Sequence, residues 1–223
     1  MAEQRQEEDY IKALEDALSG FLKPFKDIPF PVVIKALTGT RVLAYDPSNG
    51  ELRELLDRMS KATSLAGREA NETGIFTARP NEAGNQIEPF VVSALRQCGV
   101  KSIKPVSRKG RTKTAGYPDI EATYKELPMY IDCKTFAGET RDSTLRTFYL
   151  SPSDDPKVTR DAYHLLIAYQ MERDTRRGKE AFVPTSWHIY SLHELKVQVK
   201  HEFNASNRDL YHTLTPLAEG SVD

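Results

Sequence analysis

The chain has 223 residues, 39% of them hydrophobic and 28% charged, which suffices for a substantial core and excludes a disordered chain or a stapled mini-protein. Lys and Arg number 31 against 32 Asp and Glu, so the net charge of −1 does not advertise nucleic-acid binding. No apolar run approaches the roughly 18 residues of a membrane-spanning helix.

The start, MAEQRQEEDY, is acidic and lacks the basic region and apolar core of a signal peptide, which predicts an intracellular protein. Tyr10, Leu14, Ala17, Leu18 and Phe21 then fall on one face of a helix that Pro24 ends. Residues 28–34, IPFPVVI, are apolar but hold two prolines, so a packed extended segment is expected there. Leu52, Leu55, Leu56 and Met59 predict a second helix over 51–66, and the glycine- and proline-bearing stretch 67–84 predicts a loop. These elements suggest a helical N-terminal region, 1–78, packed on a core formed by 79–223.

Ile87, Val91, Ala94, Leu95 and Cys98 form a core-facing helical stripe ending at Gly99. Asn85 is the expected N-cap, which puts Pro89 at the fourth helical position, where its missing N–H costs nothing. Neither Cys98 nor Cys133 has zinc-site spacing, and both are expected as buried thiols.

Residues 101–116 hold Lys101, Lys104, Arg108, Lys109, Arg111 and Lys113 and no acid, whereas residues 1–20 hold six acids against two bases. Such a basic run is most often a solvated loop. Strand-like runs follow at 119–124 (DIEATY) and 129–136 (MYIDCKTF), close enough for a hairpin, and then at 147–150 (TFYL), 163–170 and 182–190, the last bent at Pro184. A helix, a strand cluster and further mixed elements predict a mixed α/β, or α+β, fold. His164 and His188, in apolar strand runs, are expected as core or surface residues without a catalytic role.

Pro118-Asp119, with Asp132-Cys133-Lys134 thirteen residues further on, carries the chemistry. The [D/E]xK half is weak alone: Asp155-Pro156-Lys157 and Glu194-Leu195-Lys196 also match it, and composition predicts about two such matches. Geometry adds more. Asp132 and Lys134 share a face of their strand, and a turn centred between Lys125 and Glu126 sets Asp119 directly across from Asp132, about 5 Å away at Cβ. Two carboxylates that close repel unless a cation lies between them, and Mg²⁺, which prefers oxygen ligands, fits. Lys134 then lies beside the attacking water, where a lowered pKa lets it help deprotonate or orient the nucleophile.

Helix, loop, strand with PD, turn and strand with DxK together resemble the core of the PD-(D/E)xK nuclease superfamily, over roughly residues 79–200, and within it look most like a type II restriction endonuclease. The resemblance implies a restriction-endonuclease-like fold: a central mixed β-sheet flanked by helices, with N-terminal helical additions. It also implies Mg²⁺-dependent, sequence-specific hydrolysis of double-stranded DNA to 5′-phosphate ends by a prokaryotic-type cytoplasmic homodimer, with a cognate DNA methyltransferase. Asp119, Asp132 and Lys134 become catalytic residues. Glu88, on the preceding helix, matches a metal-linked glutamate of several members, although with Asn85 it equally forms an N-x-x-E capping box. In this light the basic loop, with Lys104, Arg108, Lys109, Arg111 and Lys113, is placed to contact DNA phosphates. Asn204, Asn207 and Arg208 are further candidate contacts, though a polar turn explains them as well. A structure-specific repair or recombination nuclease of the same fold and a non-catalytic DNA-binding module remain as alternatives.

Overall fold

The computed structural model describes residues 2–21, 25–77, 82–112, 116–140, 148–200, 206 and 215. The chain divides into two compact units, one made of Met1–Ile28 and Val197–Asp223, the other of Pro29–Lys196. The first carries α1 (Ala2–Phe21), longer than the apolar stripe predicts, with Tyr10, Leu14, Leu18 and Phe21 exposed. The two-residue strands β1 (Ile28–Pro29) and β8 (Lys196–Val197) fall at the unit boundaries in the sequence. Asn204, Asn207, Arg208 and Lys113 lie outside the described residues.

Of IPFPVVI, only Ile28 and Pro29 are extended, as β1; from Phe30 the segment is a helix, α2 (Phe30–Thr38), and not the extended run expected there. Pro29 is its N-cap and Pro31 stands in its first turn, where backbone N–H groups have no intrahelical acceptor, so the two prolines mark a helix start. After β2 (Val42–Leu43), α3 runs from Gly50 to Thr73, capped by the Asn49 side chain, which accepts from the N–H groups of Glu51 and Leu52 at 2.9 and 3.2 Å. The loop expected from residue 67 is therefore helical up to Gly74. Gly67 belongs inside the helix because Tyr169 lies across it: a Cβ there would stand 3.1 Å from the ring, whose hydroxyl donates to the Thr63 carbonyl at 2.9 Å.

The next helix, α4 (Ala83–Gln97), also begins before its expected cap. Ala83 and Gly84 are buried, and a Cβ on Gly84 would meet Thr135 Oγ1 at 3.7 Å and the Cys133 carbonyl at 3.8 Å. Close packing on the sheet thus extends the helix past Asn85, which is no N-cap, and the Asn85–Glu88 capping box does not form. Pro89 stands inside the helix and withholds the N–H that the Asn85 carbonyl would otherwise receive. The predicted stripe does face the core at Ile87, Val91, Ala94 and Leu95, which are buried, whereas Cys98 at its end is only half-buried; of the two thiols expected inside, Cys133 alone is buried.

The sheet comprises β3 (Lys101–Ile103), β4 (Ile120–Tyr124), β5 (Leu127–Ala137), β6 (Ala162–Arg176) and β7 (Lys179–Ser191), together with β2. The order is β2-β6-β5-β4-β3, with β7 paired to the same edge of β6 as β2; β6 runs parallel to β2 and β5, and the other pairings are antiparallel. A register shift between Gln170 and Met171 leaves Thr185 extra beside Pro184, the bend expected there. Residues 148–150 form no strand; their apolar character serves an aromatic cluster, in which the Phe148 ring meets Phe30 and Tyr117 edge-on at 5.6 and 5.3 Å.

One face of the sheet, built from Ile120, Ala122, Met129, Ile131, Cys133, Leu165, Ile167 and Tyr169, packs with α3 and α4 into the core. Alternation sends Tyr130, Asp132, Lys134 and His164 to the other face. The result is the mixed α/β architecture of a restriction-endonuclease-like fold, a central mixed sheet flanked by helices.

Candidate active site

The β4–β5 hairpin has the register that a turn at Lys125 and Glu126 dictates. Tyr124 pairs with Leu127 and Ile120 with Ile131, and Lys125 takes the left-handed conformation, φ 50°, that a two-residue connection demands. One step before Ile120, Asp119 therefore stands opposite Asp132. Its N–H donates to the Ile131 carbonyl at 3.1 Å, and its carboxylate Oδ2 accepts from the Cys133 N–H at 2.8 Å. β5 continues past the point where β4 begins, so this edge N–H would otherwise lack an acceptor. Asp119 thereby closes the ladder and is fixed by it.

Asp132 is only 3% exposed, and Lys134, on the same face, places its ammonium 2.7 Å from Asp132 Oδ2 and 4.0 Å from Asp119 Oδ2. The close contact is a short ion pair that gives the buried Asp132 carboxylate its countercharge. Burial pushes the Asp132 carboxyl up to about 7; Lys134 opposes this and Asp119 adds to it. Burial alone would lower Lys134, but the neighbouring Asp132 and Asp119 outweigh it and hold the amine above its ordinary value. The lowered lysine pKa expected from the sequence is thus corrected: here Lys134 is a held cation.

These three side chains line a cleft of about 560 Å³ together with Asn85, Glu88, Lys104, Gly116, Tyr117 and Tyr149. Glu88 reaches it from α4, half-buried, with its carboxyl pushed up to about 7 by burial and then by the charge of Asp119. It shares the cleft without joining a three-carboxylate cluster: among the described residues, no group of three or more His, Cys, Asp or Glu is close enough to hold a metal ion. Asp119 and Asp132 nonetheless fit a hard divalent cation. Mg²⁺ commonly takes one or two protein carboxylates and fills its shell with water and phosphate, and two carboxylates set side by side on the wall of a cleft supply that set of oxygen donors.

Lys104 lines the cleft wall, so one member of the basic loop belongs to the site itself. The rest of the loop is built. Ser107 N–H donates to the Arg111 carbonyl at 2.9 Å, and Asp155 accepts from the Ser107 hydroxyl and the Lys109 N–H, both at 2.8 Å. Arg108 is tied by its N–H to the Pro156 carbonyl at 3.0 Å and by its guanidinium to the Thr38 carbonyl at 2.6 Å, and it is exposed, as are Lys109 and Arg111. Tyr117 and Tyr149 carried no signal beyond the adjacency of Tyr117 to Pro118. Under the cleft, His164 is fully buried and held neutral, its pKa pushed down to about 3 by burial, and its Nδ1 shares a 2.6 Å hydrogen bond with the Tyr117 hydroxyl.

A mixed sheet whose central hairpin sets Asp119 and Asp132 side by side with Lys134 defines the class: a PD-(D/E)xK nuclease of the restriction-endonuclease-like fold. Residues 24–214 match the type II restriction enzyme MjaV family. The chain is 35% identical to the type II restriction enzyme MjaV of Methanocaldococcus jannaschii over 92% of its own length and 94% of the relative's. The chain belongs to this family of type II restriction enzymes and is a DNA endonuclease. That membership decides against the alternatives of a structure-specific repair or recombination nuclease and of a non-catalytic DNA-binding module. Type II restriction enzymes generally use a divalent metal ion, and no described helix is long and apolar enough to cross a membrane.

Proposed function

We propose that this endonuclease hydrolyses double-stranded DNA at a specific sequence with Mg²⁺, as a cytoplasmic homodimer, leaving 5′-phosphate and 3′-hydroxyl ends. The observation that carries the proposal is the pairing of Asp119 and Asp132 across one hairpin, with the Lys134 ammonium 4.0 and 2.7 Å, respectively, from their oxygens in one cleft. Asp119 and Asp132 would hold the ion, with Glu88 facing it across the cleft. When bound, Mg²⁺ supplies Lewis-acid polarisation of the phosphoryl group and acidifies water at neutral pH. Lys134, held as a cation, stabilises charge that develops on the phosphoryl oxygens, and Lys104 draws the DNA backbone into the cleft.

Asp119 has a second task, since its hydrogen bond to the Cys133 N–H keeps the carboxylate at a fixed height beside Asp132. The loop residues Arg108, Lys109 and Arg111, together with Lys113, Asn204, Asn207 and Arg208, are proposed DNA contacts. One site cuts one strand, so a two-fold homodimer matches a palindromic target. A nuclease that reads a short sequence also threatens its host's DNA, which supports a cognate methyltransferase as its partner in the cell.

The test is incubation of the purified protein with Mg²⁺ and a long DNA of known sequence. Discrete fragments bearing 5′-phosphates are expected, with no cutting in EDTA. A smear, or cutting in EDTA, would contradict the proposal.

A further inference from the structure

Lys157 is 5% exposed, and burial of an ammonium is costly unless its N–H groups find acceptors. Its Nζ donates to two backbone carbonyls, Gly116 at 2.5 Å and Pro118 at 2.8 Å. Those two residues bracket Tyr117 and lead straight into Asp119, in a segment that precedes β4 and so has no ladder of its own. The first ladder bond is the one from Asp119 N–H. Two residues earlier in the chain, the buried Asp155 accepts from Ser107 and Lys109 of the basic loop, and the Pro156 carbonyl accepts from Arg108 N–H. One tripeptide therefore grips the loop at one end and the approach to the carboxylate at the other.

We propose that Lys157 is a positioning residue for Asp119, and that Asp155-Pro156-Lys157 is a single tie seating the basic loop and the metal-holding carboxylate at its two ends. This rests on the reading of Asp119 as a metal ligand given above. Its physical basis is that a carboxylate at the open end of a hairpin is only as well placed as the backbone entering it. Lys157 lowers the freedom of that backbone by anchoring it on both sides of Tyr117, whose ring is held separately through its hydroxyl on His164.

The two ends have separable readouts. In Lys157→Met, which keeps the bulk of the side chain and removes the donors, the dissociation constant for Ca²⁺, titrated calorimetrically into the protein, should rise about tenfold, the scale of losing an outer partner of a metal ligand. The Mg²⁺ concentration giving half-maximal cleavage should rise in parallel, while affinity for a random duplex in EDTA should stay within about twofold of wild type. Asp155→Ala should show the reverse, weaker duplex binding with an unchanged Ca²⁺ constant. If Lys157→Met fails to melt cooperatively, Lys157→Gln, which retains one donor group, is read for the same direction of change. A folded Lys157 variant with wild-type Ca²⁺ binding and cleavage overturns the proposal, as does one that loses duplex and Ca²⁺ binding together. Asp119→Asn measured alongside separates the two levels. If it keeps both Ca²⁺ binding and cleavage, the metal reading itself is wrong; if it loses both while the Lys157 variants are unchanged, only the tie is refuted.

Discussion

At the scale of the residue, Asp132 carries the electrostatic tension of the site. A carboxyl held up to about 7 against an ordinary value of 3.8 binds a proton in the folded state that the unfolded chain has already released. Glu88, also pushed up to about 7, has the same sign. Both contributions are fully present below the unfolded carboxyl values and are lost as pH rises through about 7; His164, held neutral down to about 3, works the other way between about pH 3 and 6.5 and offsets one of the two, so the metal-free protein should still become less stable between about pH 5 and 8. Urea unfolding across that range should show this fall, and Asp132→Asn should flatten it; a wild-type profile rising over the same range would contradict the assignment. Lys134 enters as the countercharge. Removing it in Lys134→Ala should cost about 10²-fold or more in the single-turnover rate, the scale of a positioned charge-stabilising group, and a loss within a few-fold would reduce it to an ion-pair partner.

At the scale of the element, the basic loop is a folded turn seated by Asp155 and not a solvated run. Its exposed cations Lys109 and Arg111 are proposed to meet phosphates, which carry little sequence information. Changing both to alanine should weaken cognate and random duplexes by similar factors and reduce the slope of log K against log[salt] by up to about 1.8, or about 0.9 for each contact. Loss of cognate preference alone, with an unchanged slope, would assign base reading to the loop. The hairpin was the most legible element, because alternation and a two-residue turn leave one register for Asp119, Asp132 and Lys134. The helix starts were least legible. Local rules gave Asn85 the cap of α4, but the fit of Gly84 against β5 decided the matter, and Tyr169 lying over Gly67 kept α3 helical where the glycines suggested a loop. Lys157 was hidden for another reason: its [D/E]xK match looked like the chance occurrence that composition predicts, and its contacts are to carbonyls 39 and 41 residues away.

At the scale of the whole molecule, a chain with near-balanced charge gathers six cations and no acid in residues 101–116, so the DNA attraction proposed for that loop is invisible in the average. The family match spans residues 24–214 and so includes every site residue described. Asp119 and Asp132 are proposed to convert DNA binding into metal-dependent cutting, and a comparison of wild type with Asp132→Asn on one long DNA, with binding measured in Ca²⁺ and cleavage in Mg²⁺, separates the two. Comparable binding by both proteins and discrete fragments from the wild type alone are expected. Cleavage by Asp132→Asn at even about a tenth of the wild-type rate would contradict that role, since a lost metal ligand should cost far more.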